Sequence, residues 1–401
     1  SGTLIIYGMK LGGNDLTGII LTQYNGKIIG PIAKLLGYLM NAIFEFLNMI
    51  KIPNIGLSII IFTIVIYLLL MPLTIKQQKF SKLSAKMNPE LQAIQKRYKD
   101  KKDNDSMMAM NAETKAVYAK YGVSPSGSCL QLLIQMPILF ALYRVIYNMP
   151  AYVTRIRDAF GVIADSIIAS GKVSEIQNLK VAAAYARNFA IDERNAVIDV
   201  LYVMNNKDLA AYATGHEDVL EQISHFNNFL GINIANSPSF MISDAWNAEG
   251  GPQILLIIAA LLIPLLSAFT QWLNVKLMPQ QAQQDDKNVS DQQASMQQSM
   301  KMMNNFMPIM SAVFCFTLPS GMGLYWIVGA VVRSIQQVLI NKHIDKMDID
   351  EVIKKNEEKQ KKKLIKAGID PNTVNKNATM NTRNVAAPSQ KTSMASRANA
   401  N

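Results

Sequence analysis

One residue in this sequence carries a permanent charge where charge is expensive. Arg333 lies within PSGMGLYWIVGAVVRSIQQVLINK, residues 319–342, and is the only ionisable side chain before Lys342 apart from Tyr325. At about 1.5 Å per residue, the stretch 323–340 crosses the hydrocarbon core of a bilayer and places Arg333 near mid-depth. A guanidinium there costs roughly 3 kcal/mol or more unless it faces water, a polar cavity or a partner. The segments around it are therefore expected to enclose something hydrated. Trp326 lies two helical turns before Arg333 and Gln337 one turn after, so the three share a face. The bland alternative is an arginine that snorkels to the headgroups along its own stem, a long reach toward the Lys342 end.

Four further segments are poor in charge and rich in Ile, Leu, Met and Phe: residues 57–75, 130–149, 252–273 and 302–318. With 321–341 they make five predicted transmembrane helices in an all-α polytopic membrane protein. None of the five contains a His, Asp or Glu, which argues against acid, base or metal chemistry at depth. Neither enzyme activity nor a cofactor is expected. The two cysteines, Cys129 and Cys315, fall in or beside these segments and suggest neither a disulfide framework nor a zinc site.

Charge sets the expected orientation. Lys plus Arg against Asp plus Glu is 11 to 5 for residues 76–128, 7 to 12 for 151–251, 3 to 3 for 273–302 and 13 to 7 for 341–401. Basic segments belong on the cytoplasmic side, so 76–128 and the tail face inward and 150–251 outward. Five spans then put the N-terminus outside and the C-terminus in the cytoplasm of a cell-membrane protein. Residues 1–30 form an external segment with no recognisable secretory signal. An outside N-terminus therefore implies a short translocated tail or a leader already removed.

Residues 31–51 read as an amphipathic helix, with Lys34, Tyr38, Asn41, Glu45 and Asn48 on one face and Ile32, Leu35, Leu36, Leu39, Ile43, Phe44, Phe46 and Leu47 on the other. With no soluble core foreseen nearby, this helix is expected to lie flat in the outer interface. After the first span, Phe80, Leu83, Met87, Leu91, Ile94 and Tyr98 repeat at helical spacing, and Asn88-Pro89 is expected to break that helix. A turn over Lys99 to Asp105 and a Met-rich helix over 107–121 complete a cytoplasmic helical hairpin, residues 76–128. Arg144, near the outer end of the second span, can snorkel. Residues 150–251 are expected to be helical surface structure, with His216 and His225 lacking any ligand pattern, and 274–301 a cytoplasmic loop. The tail, 342–401, is dense in lysine over 351–366 and expected to be largely disordered after Pro371.

Five features now stand in order: the flat helix, Met71-Pro72-Leu73 leading into Lys76-Gln77-Gln78, the charged hairpin, Leu133-Ile134-Gln135-Met136-Pro137-Ile138, and Leu318-Pro319-Ser320-Gly321 with Leu324-Tyr325-Trp326 and Gln336-Gln337. Together they resemble the YidC membrane protein insertases, of the Gram-positive type, over roughly residues 30–342. The resemblance implies an insertase that moves short hydrophilic stretches of new membrane proteins across the bilayer through a hydrated groove open to cytoplasm and lipid. It also implies a groove arginine on the first span, but that position is occupied by Tyr67. Tyr67 and Arg333 lie at similar distances from the outer ends of spans running in the same direction. Arg333 is thus the candidate for a relocated groove charge, with Tyr67 as its hydroxyl partner. Gln271 and Trp326 match groove-lining positions, and Gln135 and Gln337 complete the candidate set.

The implied partners are nascent membrane proteins and membrane lipids. The basic tail has charge suited to ribosomal RNA or anionic lipid, and cooperation with the SecYEG translocon fits the family. The rival class is a small-solute transporter or channel, against which stand the missing inverted repeat and the absence of Gly-interrupted span pairs.

Overall fold

The structure, a computed structural model, describes residues 23–24, 26–98, 103–123, 127–248, 250–277 and 291–366. Residues 1–22, 25, 99–102, 124–126, 249, 278–290 and those beyond 366, and with them the start of the turn expected from Lys99 and the disorder expected after Pro371, lie outside the described residues. The helices are α1 (Ile29–Met49), α2 (Ile55–Leu69), α3 (Met71–Tyr98), α4 (Asn104–Tyr121) and α5 (Gly127–Tyr147). Shorter elements follow: α6 (Met149–Tyr152), α7 (Thr154–Ala169), α8 (Val173–Gln177), a 3₁₀ turn (Lys180–Tyr185), α9 (Ala186–Phe189), α10 (Glu193–Val203), α11 (Asn206–Tyr212) and α12 (Glu217–Asn227). A two-stranded hairpin, β1 (Asn228–Phe229) and β2 (Ile232–Asn233), pairs Asn228 with Asn233 and Phe229 with Ile232. Then come α13 (Pro238–Trp246), α14 (Ile254–Leu277), α15 (Asp291–Thr317), α16 (Ser320–Asp345) and α17 (Ile349–Lys366).

Among the described residues two helices, α14 and α16, are long and apolar enough to cross a membrane, and α2 with α3 makes a third if the two are one broken span. The first span was expected to run to residue 75, but α2 stops at Leu69. Pro72 explains the break. It has no N–H to offer Leu68, and its ring disfavours helical backbone at Met71. Pro72 is then well placed in the first turn of α3.

The chain divides into two compact units. The first comprises residues 1–71, 132–277 and 303–337. Its core is continuous from Met40, Phe44 and Leu47 of α1, through Ile59 and Phe62 of α2 and Leu142 and Ile146 of α5, to Phe160 of α7, Leu201 of α10, Phe226 of α12 and Met322 of α16. A core is thus present beside α1, contrary to expectation. Leu36, Ile43, Phe44 and Leu47 turn into it, and the Phe44 and Phe226 rings meet edge-on with centroids 5.2 Å apart. Leu35, Tyr38, Phe46 and Met49 remain exposed. The polar face is also used: Asn41 Oδ1 accepts from the Thr154 backbone N–H at 3.0 Å, and Glu45 pairs with Arg155 at 2.8 Å.

The region 150–251 is more than surface structure. It supplies α7, α10 and α12 to this core and grips the ends of the apolar helices. Asn54 caps α2 by accepting from the Leu57 N–H, while its own amide donates to the carbonyls of His225 at 3.1 Å and Asn228 at 2.8 Å. An N-cap of this kind stabilises by about 1 kcal/mol. At the start of α16, Ser320 donates through both its N–H and its hydroxyl to the Asn236 carbonyl. Gly321 sits where α2, α5 and the strand segment converge, and a Cβ there would lie 2.9 Å from Ile234 and 3.0 Å from Ile146 and Ile59. The β-turn itself places Leu230 and Gly231 at φ 52° and 82°, as the right-handed twist of a two-residue hairpin demands. Arg144 stacks on the Tyr24 ring at 4.5 Å.

Within α10, Asp199 is 2% exposed. Burial pushes its carboxyl up to about 8, against a hydrogen bond from Asn188 that works the other way and with a smaller upward contribution from Asp192.

The second unit comprises residues 72–131, 278–302 and 338–401. Here α3 and α4 pair antiparallel, and Asn88-Pro89 does not interrupt α3. Pro89 faces solvent, and Glu90 beside it is anchored by Lys120 and by the Tyr121 hydroxyl, each at 2.7 Å. These contacts and the packed stripe offset the roughly 3 kcal/mol that an internal proline costs. Burial works to raise the Glu90 pKa, but the two hydrogen bonds outweigh it and hold the carboxyl below its usual range. The tail is not wholly irregular either, because 349–366 forms α17.

Candidate functional site

The site belongs to the first unit and forms where α2 meets α16. On α16, Tyr325, Gly329, Arg333 and Gln336 follow one another at steps of four, four and three, and so form one stripe. The whole stripe is turned toward Tyr67 of α2. Tyr325 stacks on the Tyr67 ring with centroids 6.5 Å apart. Gly329 lets the helices close up, since a Cβ there would lie 3.0 Å from the Tyr67 ring. Arg333 donates through Nη1 to the Tyr67 hydroxyl, and its guanidinium carbon lies 5.2 Å from the ring centroid. Gln336 Nε2 donates to the Tyr67 backbone carbonyl at 2.9 Å.

That last bond follows from the break at Leu70. The final four carbonyls of a helix have no partner within it, and in an apolar setting such a group is costly. Tyr67 lies in the last turn of α2, so Gln336 satisfies a carbonyl that the proline break left open. Tyr67 is twelve residues into α2 and Arg333 thirteen into α16, about 18 and 20 Å from the two docked starts. Equal depth is what lets them meet.

A hydroxyl and a ring face solvate the guanidinium without neutralising it. Among the described residues no carboxylate pairs with Arg333. The site therefore offers a positive charge beside apolar walls, suited to attracting an anionic group. Among the described residues, no three His, Cys, Asp or Glu side chains are grouped to hold a metal.

The other candidates lie around this pair in different ways. Gln271 is buried on α14 in a polar stripe with Ser267, Thr270 and Asn274. That stripe meets α15 and α16, where Ser267 and Ser311 share a hydrogen bond of 2.6 Å, Cys315 donates to Ser267, and Asn274 donates to Ser334. The opposite side of α14, with Leu255, Ile258, Leu262, Leu265, Phe269 and Trp272, is exposed, a face that only hydrocarbon would cover. Gln337 is buried on α16, and Gln135 is half-buried on α5. Trp326, despite its spacing from Arg333, packs against Phe314 of α15 at 6.1 Å. The residues that do reach Tyr67 beside Arg333 are Tyr325 and Gln336, which sequence reasoning passed over. Two steps of four back from Arg333 and one of three forward would have found them.

The fold and this seam define a helical, multi-pass membrane protein in which α14 turns a buried polar stripe toward α15 and α16 and an exposed apolar face outward. The chain matches the family described as 60Kd inner membrane protein over residues 46–347, about three quarters of its length, and it belongs to that family. It is similar to the membrane protein insertase YidC of Fusobacterium nucleatum, 40% identical over 117 residues, covering 28% of this chain and 55% of that protein. It is also similar to the membrane protein insertase YidC of Oceanobacillus iheyensis, 45% identical over 95 residues (24% and 37%), and to the membrane protein insertase MisCA of Bacillus subtilis, 43% identical over 98 residues (24% and 37%). The chain thus spans about half or less of the length of these relatives.

Proposed function

We propose that this chain is a membrane protein insertase. Newly made membrane proteins would be its substrates, and their short hydrophilic segments would pass along a hydrated groove beside Arg333 while the apolar segment enters lipid. Family membership and the names of the relatives support the class of activity. The observation that carries the mechanism is the Arg333–Tyr67 pair, a positive charge held between α16 and α2 by groups that cannot neutralise it. An insertase needs no reacting group. A polar lining lowers the cost of moving a loop across, and burial of the substrate's apolar segment drives the step.

The topology proposed with it has five spans, the N-terminus outside, the exposed side of α1 in the outer interface and the basic tail in the cytoplasm, from where ribosomal RNA, anionic lipid and the SecYEG translocon are within its chemistry. None of the relatives named above is described as a transporter. Purified protein in liposomes is expected to give protease-protected insertion of a single-span substrate with an acidic translocated tail, and no flux of small solutes. Flux without insertion would overturn the proposal in favour of a transporter.

A further inference from the structure

The apolar stripe of α3 is already occupied. Leu83 and Met87 pack with Tyr121 of α4 and with Val123, and Ile349, Val352 and Ile353 of α17 close this cluster from the third side. A second cluster, Ile94, Tyr98 and Ala109 with Met110 and Val117, is closed by the α3–α4 hairpin alone. Only one end of the hairpin therefore presents a groove, and α17 lies in it through an apolar stripe at i, i+3 and i+4.

The hold is slight. Asn356 donates to the Tyr121 carbonyl at 2.9 Å, beyond which residues 357–363 are all polar and Ile365 is exposed. Two ion pairs, Lys82–Asp345 and Lys86–Asp350, flank the apolar contact. Their side chains are 35–79% exposed, so solvent screens both pairs and each adds little. The charges are complementary as sets. Lys76, Lys79, Lys82 and Lys86 line α3, while Asp345 ends α16 and Asp348, Asp350 and Glu351 stand at the start of α17.

We propose that the groove between α3 and α4 is an exchangeable docking surface for an apolar helix preceded by acidic residues, and that α17 is its resident occupant. Resting on the insertase reading, this identifies the incoming partner as a membrane-protein segment with an acidic N-terminal flank. Its apolar face takes the place of Ile349, Val352 and Ile353, and its acidic residues take the place of Asp345 and Asp350. Helix-in-groove recognition needs only such anchors at i, i+3 and i+4, and the flexible Met87 lets the groove accept unlike side chains.

The test uses the full chain in lipid nanodiscs and a fluorescent peptide with the sequence of residues 345–366. A Val352→Asp/Ile353→Asp variant releases α17 without altering the groove, and is expected to bind the peptide at least tenfold more tightly than wild type. Asp345→Lys/Asp350→Lys, which leaves the apolar contact in place, should give an intermediate gain. An apolar helix with an Asp flank should compete with the peptide, and the same helix with a Lys flank should not. Equal binding by wild type and both variants, or no binding by any, overturns the exchange. Failure of the Asp-flanked helix to compete overturns the partner. Because binding is read at equilibrium, loss of insertion with binding intact counts against the insertase reading alone.

Discussion

Arg333→Ala is expected to lower insertion of a substrate with an acidic translocated tail by at least tenfold, with Arg333→Lys retaining a substantial part. A carboxylate passing about 4 Å from a guanidinium at an effective dielectric of 20 gains about 4 kcal/mol, and tenfold in rate needs only about 1.4. The alanine variant loses this charge, whereas lysine keeps it while forfeiting the planar stack on Tyr67. Tyr67→Phe keeps the ring and removes the hydroxyl that receives Nη1, so a loss of about threefold is expected, in line with about 0.7 kcal/mol for one hydrogen bond. The measurement is the protected fraction in the liposome assay. A substrate with a neutral tail should show no dependence on Arg333. Equal insertion of both substrates by wild type and Arg333→Ala would leave Arg333 without a role.

The second large effect concerns Asp199 and needs no substrate. Its folded-state pKa is raised from the usual carboxylate value of 3.8 to about 8. Neutral Asp199 therefore contributes stability that is fully present below about pH 4 and is lost as pH rises through 8. Four units at 1.36 kcal/mol each set the span at about 5 kcal/mol. Asp199→Asn keeps an acceptor for Asn188 and cannot ionise, so it should flatten the pH dependence and raise the melting temperature at pH 8 and above. Thermal unfolding of both proteins between pH 5 and 9, followed by circular dichroism, checks this. Parallel curves would show that Asp199 is not the group whose ionisation sets the dependence.

The contrast between these two residues shows what could be read from the sequence. Arg333 was visible because a charge in an apolar run is an anomaly in one dimension. Asp199 was not, although Ala196 to Val203 is apolar on both sides of it, because that run is too short to span a bilayer and only the packing of α7, α9 and the 3₁₀ turn around α10 reveals its burial. The helical character of the chain followed from apolar runs and periodicity. The ends of helices followed less well: the Pro72 break came earlier than hydropathy suggested, and Pro89 produced none because neighbouring contacts outweigh it. For α1, periodicity gave the faces but could not say that half of the apolar face is taken by a core built from residues more than a hundred positions away. The lysines of α17 hid a three-residue apolar stripe, too short to register against so polar a background. At the site, spacing alone grouped Trp326 with Arg333, whereas tilt and neighbouring helices send Trp326 to Phe314 and bring Tyr325 and Gln336 to Tyr67.

The most direct measurement places a photoreactive benzoylphenylalanine at Tyr67, at Trp326 and, as a control, at the exposed Leu255 of α14, and asks which captures an arrested single-span substrate in the membrane. Capture from positions 67 and 326 but not 255, abolished when the substrate's tail is released, is expected if substrates pass beside Arg333. Capture from 255 alone, or equally from all three, would contradict passage along this seam.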